Sequence, residues 1–351
     1  MRFCDVGQVE NKQRLNLSHW AGEVLARDAE AFRVQARLGE GGISSGMVNQ
    51  VFRTFCRQAD ASVAMALGRE RQELNELFAD LDAGAAARAS ALCLSAAERR
   101  LADRATRLLE QKGESFSFRI DKENLAFLAS DEGQAEAAIY RDGVGRYFKA
   151  VLEEYCQLPY VRRERIFFGP LLDQVRLAAD EKKMLRFTLY GGRNKGLYMK
   201  PLGCEEDMEH LYNYVVGMTA FSPEGPWRPG AVRLTSIQAC VRQAGSGFLS
   251  AGDRRQIREA VRRQGVQYLP EEGAIRVVVR LTSEGEKMYR HLMHLRPQYI
   301  ARDGAVYTFC CTFRQADNYF FKFGAHARVL EPESLAELFA RRYRSAARAY
   351  G

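Results

Sequence analysis

Polar and apolar positions alternate most clearly at Phe32-Arg33-Val34-Gln35-Ala36-Arg37-Leu38. Successive strand residues point to opposite faces. A strand here would send Phe32, Val34, Ala36 and Leu38 into a core and turn Arg33, Gln35 and Arg37 outward. A weaker copy follows, with Phe116, Phe118 and Ile120 inward and Ser115, Ser117 and Arg119 outward. After each strand the apolar spacing becomes helical. Ser44 or Ser45 is placed to cap a helix with Met47, Val48, Val51, Phe52 and Phe55 on one side. Ser62 is placed to cap another, carrying Leu67, Leu74, Leu77, Phe78 and Leu81. Ser95-Ala96-Ala97-Glu98 reads as a capping box opening a helix that runs to about Gln111. After the second strand come a helix over 123–129, a polar loop and a helix over 143–156. That last helix carries Tyr147, Phe148, Val151, Leu152 and Tyr155 on one face, and Leu158-Pro159 ends it. Residues 1–30 are poorly patterned apart from a short helix near 16–25.

In the second half, a helix over 162–180 precedes short β-rich segments at 184–190, 196–202, 211–218 and 231–241. Several short strands separated by turn residues predict a small curved antiparallel sheet or barrel. A loop over 245–252 follows, and Asp253 is placed to cap a helix reaching Gln264. The tail reads as strand 275–281, helix 284–295, strands 306–312 and 319–323, and helix 332–343. The expected fold class is α+β multidomain. The expected parts are an N-terminal segment (1–30), a tandem strand–helix–helix region with a helical insert (31–160), a linker helix with the barrel (161–248) and a small α+β domain (249–351).

Charge sharpens this picture. The 351 residues hold 52 Lys and Arg against 44 Asp and Glu, a formal charge of +8. Arginine carries most of the excess, and its planar fork suits bidentate contact with phosphates and base edges. The eight cysteines are scattered without a Cys-x-x-Cys pair, which argues against a zinc site and for a reducing cytoplasm. No secretory signal opens the chain and no window is apolar enough to span a bilayer. His291 and His294 lack a carboxylate at ligand spacing, so no metal is expected. No phosphate-binding Gly-rich Lys motif or nucleophile elbow is present. The expectation is a protein without enzymatic activity or cofactor.

Three groups of residues are candidates for nucleic acid. On the ribbon, Arg33, Gln35, Arg37 and Arg119 are the outward groups that would read bases, with a helix N-terminus near Ser44 or Ser45 for phosphate. The competing reading is an edge strand whose charges only resist aggregation. In the barrel, Arg186, Tyr190, Arg193, Lys195, Lys200, Tyr212, Tyr214 and Arg233 mix cations with rings, as single strands require. The competing reading places the tyrosines in the barrel wall. On the helix after Asp253, Arg254, Arg258 and Arg262 form one stripe with Arg255 and Arg263 beside it. That face would track phosphates or simply be solvated. Arg341, Arg342, Arg344 and Arg348 lie near a helix C-terminus, where the dipole favours cations without any ligand.

The segments Leu185-Arg186-Phe187-Thr188-Leu189-Tyr190, Tyr198-Met199-Lys200-Pro201-Leu202, Asn213-Tyr214-Val215-Val216-Gly217 and Val232-Arg233-Leu234-Thr235-Ser236-Ile237 resemble the WYL domain of bacterial regulators. The family's Trp-Tyr-Leu signature is here Asn213-Tyr214-Val215, and Ser236 stands where the family has its closing arginine. Phe321 to Pro332 resembles the companion domain that follows such barrels, and the two strand–helix–helix units resemble ribbon-helix-helix DNA-binding modules. The order of parts is similar to that of the WYL accessory proteins of type VI-D CRISPR RNA-guided RNA nucleases. That resemblance implies an Sm-like or SH3-like barrel, binding of single-stranded RNA and activation of an effector nuclease; a homodimer formed through the α+β tail is the further expectation. Similarity to WYL transcription factors implies the alternative, a repressor that binds operator DNA and senses a ligand.

Overall fold

In the computed structural model residues 11–34, 43–113, 115–140, 143–191, 196–207, 211–269, 274–294 and 296–350 are described. They fall into two units, Met1–Pro170 and Leu171–Gly351.

The first unit begins with β1 (Lys12–Asn16), α1 (His19–Ala31), α2 (Ser45–Phe55), α3 (Val63–Leu77) and α4 (Ala83–Glu110). It continues with β2 (Ser115–Arg119), α5 (Lys122–Ala129), α6 (Asp131–Ile139), α7 (Val144–Gln157) and α8 (Tyr160–Phe167). β1 and β2 pair antiparallel as a two-stranded ribbon. Each strand is followed by helices, so strand–helix–helix occurs twice, with the α3–α4 hairpin inserted between the copies. The core gathers Leu15 and Leu17, Val24 and Leu25 of α1, Val48 and Phe52 of α2, Phe118 of β2, and Phe148 and Val151 of α7. The Phe52 and Phe148 rings stack with centroids 3.8 Å apart, joining the helices of the two copies.

Polar groups lock this core. Arg163 donates from Nε to Asp28 Oδ2 (2.7 Å) and from Nη2 to Oδ1 (3.0 Å), and the Tyr155 hydroxyl donates to the same Oδ2 at 3.0 Å. α8, α1 and α7 are thereby pinned at one buried carboxylate. Glu136 of α6, 2 % exposed, accepts from Ser62 Oγ and from the backbone N–H of Val63 and Ala64. It thereby satisfies donors at the α3 N-terminus that no helix can satisfy internally.

The second unit, after α9 (Gly169–Asp180), contains β3 (Lys183–Leu189), β4 (Leu197–Glu206), β5 (Asn213–Ala220), β6 (Arg228–Arg233) and β7 (Ile237–Ser246). These form one antiparallel sheet in the order β6-β5-β4-β3-β7. Every residue of β5 is buried. α10 (Ala251–Gln264) covers the β5–β6 end, where Tyr214, Val216, Met218 and Ala231 meet Leu249, Ile257 and Ala260. Ser250 and Asp253 close its N-terminus as a capping box.

The chain then forms β8 (Ile275–Leu281), α11 (Ser283–His291), β9 (Tyr299–Asp303), β10 (Val306–Cys311), α12 (Phe313–Phe320), β11 (Ala327–Glu331) and α13 (Glu333–Tyr350). The antiparallel strand order β11-β8-β10-β9 is that of a split β-α-β-β-α-β unit. Val277, Val279, Tyr307, Phe309 and Val329 pack on one sheet face against Tyr289, Phe320, Leu335 and Phe339.

Several expectations change. The alternating stretch at 32–38 does not begin a strand. Phe32 caps α1, is 5 % exposed and packs its ring on Phe167 with centroids 4.8 Å apart, while Arg33 turns through φ 57°. Gln35 and Arg37 lie outside the described residues. The strand that pairs with β2 is β1, in the segment that looked unpatterned. Ser95 lies inside α4, whose N-cap is Asp82. The polar loop after 129 holds α6, and the helix expected over 162–180 breaks into α8 and α9. The strand expected over 231–241 is divided by a 3-10 turn at Leu234–Ser236. Among the described residues β6 and β7 are the two edges of the sheet, and its ladder does not close into a barrel. Residues 319–323 are helical, because Ala316, Tyr319, Phe320 and Phe323 follow helical spacing into one core.

Candidate nucleic-acid interface

Directly opposed residues on neighbouring strands share a sheet face. Arg186 lies opposite Tyr198, Lys200 opposite Met218, and Arg233 opposite Tyr214. Period-two alternation along β4 and β5 places all of them on the face that α10 partly covers. Three cations of this face sit over aromatic rings. Arg233 Cζ is 3.4 Å from the Tyr212 centroid, Lys200 Nζ is 4.7 Å from that of Trp227, and Arg186 Cζ is 5.9 Å from that of Tyr198. All three rings are half-buried, and Arg186 is exposed beside Val241, its partner on β7.

Such pairs fit single-stranded nucleic acid for two reasons. A cation over a ring is held by the ring's quadrupole, so it is fixed beside a surface on which a base can stack. The same cation neutralises a phosphate. Gly196 leaves room for the Arg186 side chain, since a Cβ there would collide with its Nε. Tyr190 follows β3, exposed, with its N–H donating to Ser236 O at 3.0 Å. Gly191 beside it has φ 70°, a conformation costly for other residues.

Tyr214 is different. It is 9 % exposed and belongs to the core beneath α10, so its ring is wall rather than stacking platform. Alternation shows which face a residue takes but not that a helix covers that face. Arg193 and Lys195 lie outside the described residues. Sequence reasoning missed Trp227, which lies just before β6. The available signal was a large amphipathic ring near a basic strand.

The ribbon offers a second basic surface. Lys12, Arg14 and Asn16 of β1 and Ser115, Ser117 and Arg119 of β2 are exposed, while Leu15 and Phe118 are buried. Lys12 stands opposite Arg119 and Arg14 opposite Ser117. Among the described residues, no carboxylate pairs with Lys12, Arg14 or Arg119. Like charges directly opposed on a ladder destabilise it, and a polyanion would relieve that. Arg119 therefore joins Lys12 and Arg14, whereas Arg33, at the end of α1, is not part of the ribbon.

On α10, Arg254, Arg255, Arg258, Arg262 and Arg263 are exposed, opposite the buried stripe of Ile257, Ala260 and Gln264. Asp253, in the first turn, has its carboxyl held below the usual range by hydrogen bonds from Ser250. In α13, Arg342 pairs with Asp317 at 2.5 Å and lies over the Phe321 ring, a structural use for that cation. The buried thiols of Cys56 and Cys311 are each pushed up to about 12, chiefly by desolvation, and so are poor nucleophiles at neutral pH. No helix of the described residues is long and apolar enough to cross a membrane.

Comparison with known proteins agrees with this architecture. Residues 273–347 match the family model of the WCX domain. No curated protein matches the sequence. A solved structure described as the crystal structure of a CRISPR Cas-related protein superposes with a TM-score of 0.75 at 18% identity, covering 100% of this chain and 96% of that one. Proteasome accessory factor B/C (PafBC) of Arthrobacter aurescens aligns at 16% identity over 64% of this chain and 35% of that one, with a TM-score of 0.29, too low to bear on the fold. The segment 273–347, which holds the split β-α-β-β-α-β unit, is thus similar to the WCX domain, and the chain shares its fold over its whole length with that solved structure.

Proposed function

We propose that this protein is a non-enzymatic regulator of a CRISPR system that binds single-stranded RNA on the five-stranded sheet. The observation that carries this is the set of three cations seated over half-buried rings on one face: Arg233 on Tyr212, Lys200 on Trp227 and Arg186 on Tyr198. Rings supply sequence-tolerant stacking, and the cations supply phosphate contacts. The fold shared with a CRISPR Cas-related protein and the resemblance to type VI-D accessory proteins together favour an RNA-guided RNA nuclease as the partner. In this reading the protein is an activator in the cytoplasm. It acts as a homodimer through its tail, where all five residues of the edge strand β9 are exposed.

The test is fluorescence anisotropy with labelled single-stranded RNA, single-stranded DNA and duplex DNA over a salt series. The expected result is RNA binding that Tyr212→Ala and Trp227→Ala weaken without changing the fold. Unchanged RNA affinity in both variants would overturn the reading. Addition of the protein to a type VI-D nuclease reaction tests activation, and RNA cleavage by the purified protein alone would exclude a purely regulatory role.

The ribbon supports a second reading. Lys12 opposite Arg119, flanked by Arg14, is the outward face a ribbon-helix-helix module would lay in the major groove of operator DNA. Two strand–helix–helix units lie in one chain here, so in this reading one polypeptide would supply the ribbon that such proteins normally build from two. Tight binding to one duplex, abolished in Lys12→Ala with Arg14→Ala, would favour a repressor.

A further inference from the structure

We propose that the second unit holds a nucleotide site, apart from the sheet face, in the cavity between the end of α10 and the segment joining α11 to β9. The cavity measures ≈ 360 Å³ and is lined by Arg262, Arg263, Gln267, Arg296, Gln298 and Glu206. That size lies within the range of small-ligand sites. The inference stands independently of RNA binding by the sheet.

Gln267 is the observation that points to a ligand. It is 5 % exposed, yet its amide nitrogen makes no hydrogen bond. A buried donor without a partner is costly and calls for an explanation. The chain is arranged to keep it there. Gly265 ends α10 with φ 85°, and a Cβ on it would lie 2.7 Å from Gln267 Oε1, so the missing side chain makes room for the amide.

The surrounding groups define the chemistry. Arg296 is fixed by donating from Nη1 to Tyr289 O (3.2 Å) and Arg290 O (3.4 Å), while its buried Nε makes no hydrogen bond. Among the described residues, Arg262 and Arg263 make no ion pair. Three guanidiniums around one small cavity select an anion, and phosphate suits their fork geometry. A phosphate alone would leave the amides and the carboxylate unused. Glutamine amides and a carboxylate match the donor and acceptor pattern of a base edge, the carboxylate accepting from an exocyclic amino group. The occupant is therefore a nucleotide bearing an exocyclic amine, either free or as the phosphorylated end of a single strand.

The test is calorimetric titration of the full chain with 5′-AMP, 5′-CMP, 5′-UMP, inorganic phosphate and a 5′-phosphorylated trinucleotide. AMP or CMP is expected to bind at least tenfold more tightly than inorganic phosphate and than UMP, which lacks the exocyclic amine. Binding of the trinucleotide in preference to both would assign the site to a strand end. Gln267→Met keeps the volume and removes the unpartnered donor. It is expected to leave the thermal midpoint of the free protein unchanged or higher while weakening binding at least tenfold. Arg262→Ala with Arg263→Ala, both exposed, is expected to weaken binding similarly and serves if Gln267→Met fails to fold. No binding of any probe, equal binding of inorganic phosphate, or full binding by either variant would overturn the proposal.

Discussion

The guanidinium of Arg233 lies close enough over Tyr212 that its central carbon is 3.4 Å from the ring centroid, while Arg233 is held opposite Tyr214 on the β5–β6 ladder. One tyrosine carries the cation at the surface and the other, two residues on, carries the core. Substituting the two should therefore have different consequences. Tyr212→Ala is expected to weaken single-stranded RNA binding by about 1–3 kcal/mol, the usual effect of removing a stacking ring, with little change in stability. Tyr214→Ala is expected to destabilise the second unit by about 3 kcal/mol or more, as removal of a buried ring does. Anisotropy and urea denaturation on both variants check the division, which fails if Tyr214→Ala is as stable as the parent.

On the ribbon, Lys12→Ala, Arg14→Ala and Arg119→Ala together should change folding stability by no more than about 0.5 kcal/mol, as exposed substitutions do. The relief of Lys12 from Arg119 favours a small gain. If the ribbon meets duplex DNA, the plot of log affinity against log salt should flatten by about 0.9 for each phosphate that the variant no longer neutralises. An unchanged slope would mean that the ribbon's charges do not meet DNA.

At Asp28 the prediction concerns folding alone. Its carboxylate is buried and accepts from Arg163 and Tyr155. Asp28→Ala leaves the Arg163 guanidinium, whose side chain is 11% exposed, without its counter-ion, and removal of one partner from such a pair costs about 3–5 kcal/mol. Asp28→Leu combined with Arg163→Met should cost less than either single change, because no charge remains buried. Chemical denaturation of the three variants measures this.

Thiol chemistry gives a pH test. Burial disfavours the thiolate and pushes Cys56 and Cys311 up to about 12 in the folded chain, against about 8.5 for an unfolded thiol. Their contribution to stability is complete below the unfolded value and declines as pH rises from about 9 towards 12, because the unfolded state then holds fewer protons. At about pH 8 a thiol reagent should label exposed Cys93 and Cys310 quickly and buried Cys56, Cys156 and Cys311 only on unfolding. Rapid labelling of Cys56 in the native protein would contradict this.

The parts of the fold legible in the sequence are those in which a local signal coincides with burial. α2 begins after Ser44, whose hydroxyl accepts from the Met47 N–H, and Met47, Val48, Val51, Phe52 and Phe55 are all buried as its period requires. α7 is equally plain, since Tyr147, Phe148, Val151, Leu152 and Tyr155 share one stripe and are each fully buried. β1 is hidden because only one of its five residues, Leu15, is fully buried, although polar and apolar residues do alternate from Arg14 through Leu15 towards the Ser18 cap. β9 buries none, and a strand with no buried face leaves no pattern to read. Phe32 and Val34 imitate strand alternation, while Phe32 serves a helix end and the ring cluster of Tyr160, Phe167 and Phe168.

The sequence by itself determined the α+β class, most helices, the basic balance and the residue types suited to a polyanion, because propensity, capping and hydrophobic period act over a few neighbouring positions. Tertiary structure alone decided that Lys12 faces Arg119 from a distant part of the chain, that Tyr214 lies in the core under α10 while Tyr212 is half-buried at its margin, and that Gln267 is enclosed without a partner for its amide nitrogen. Each of these depends on which distant surface comes to lie against a residue. That is set by the packing of whole elements, which leaves no trace in the spacing of side chains along one strand or helix.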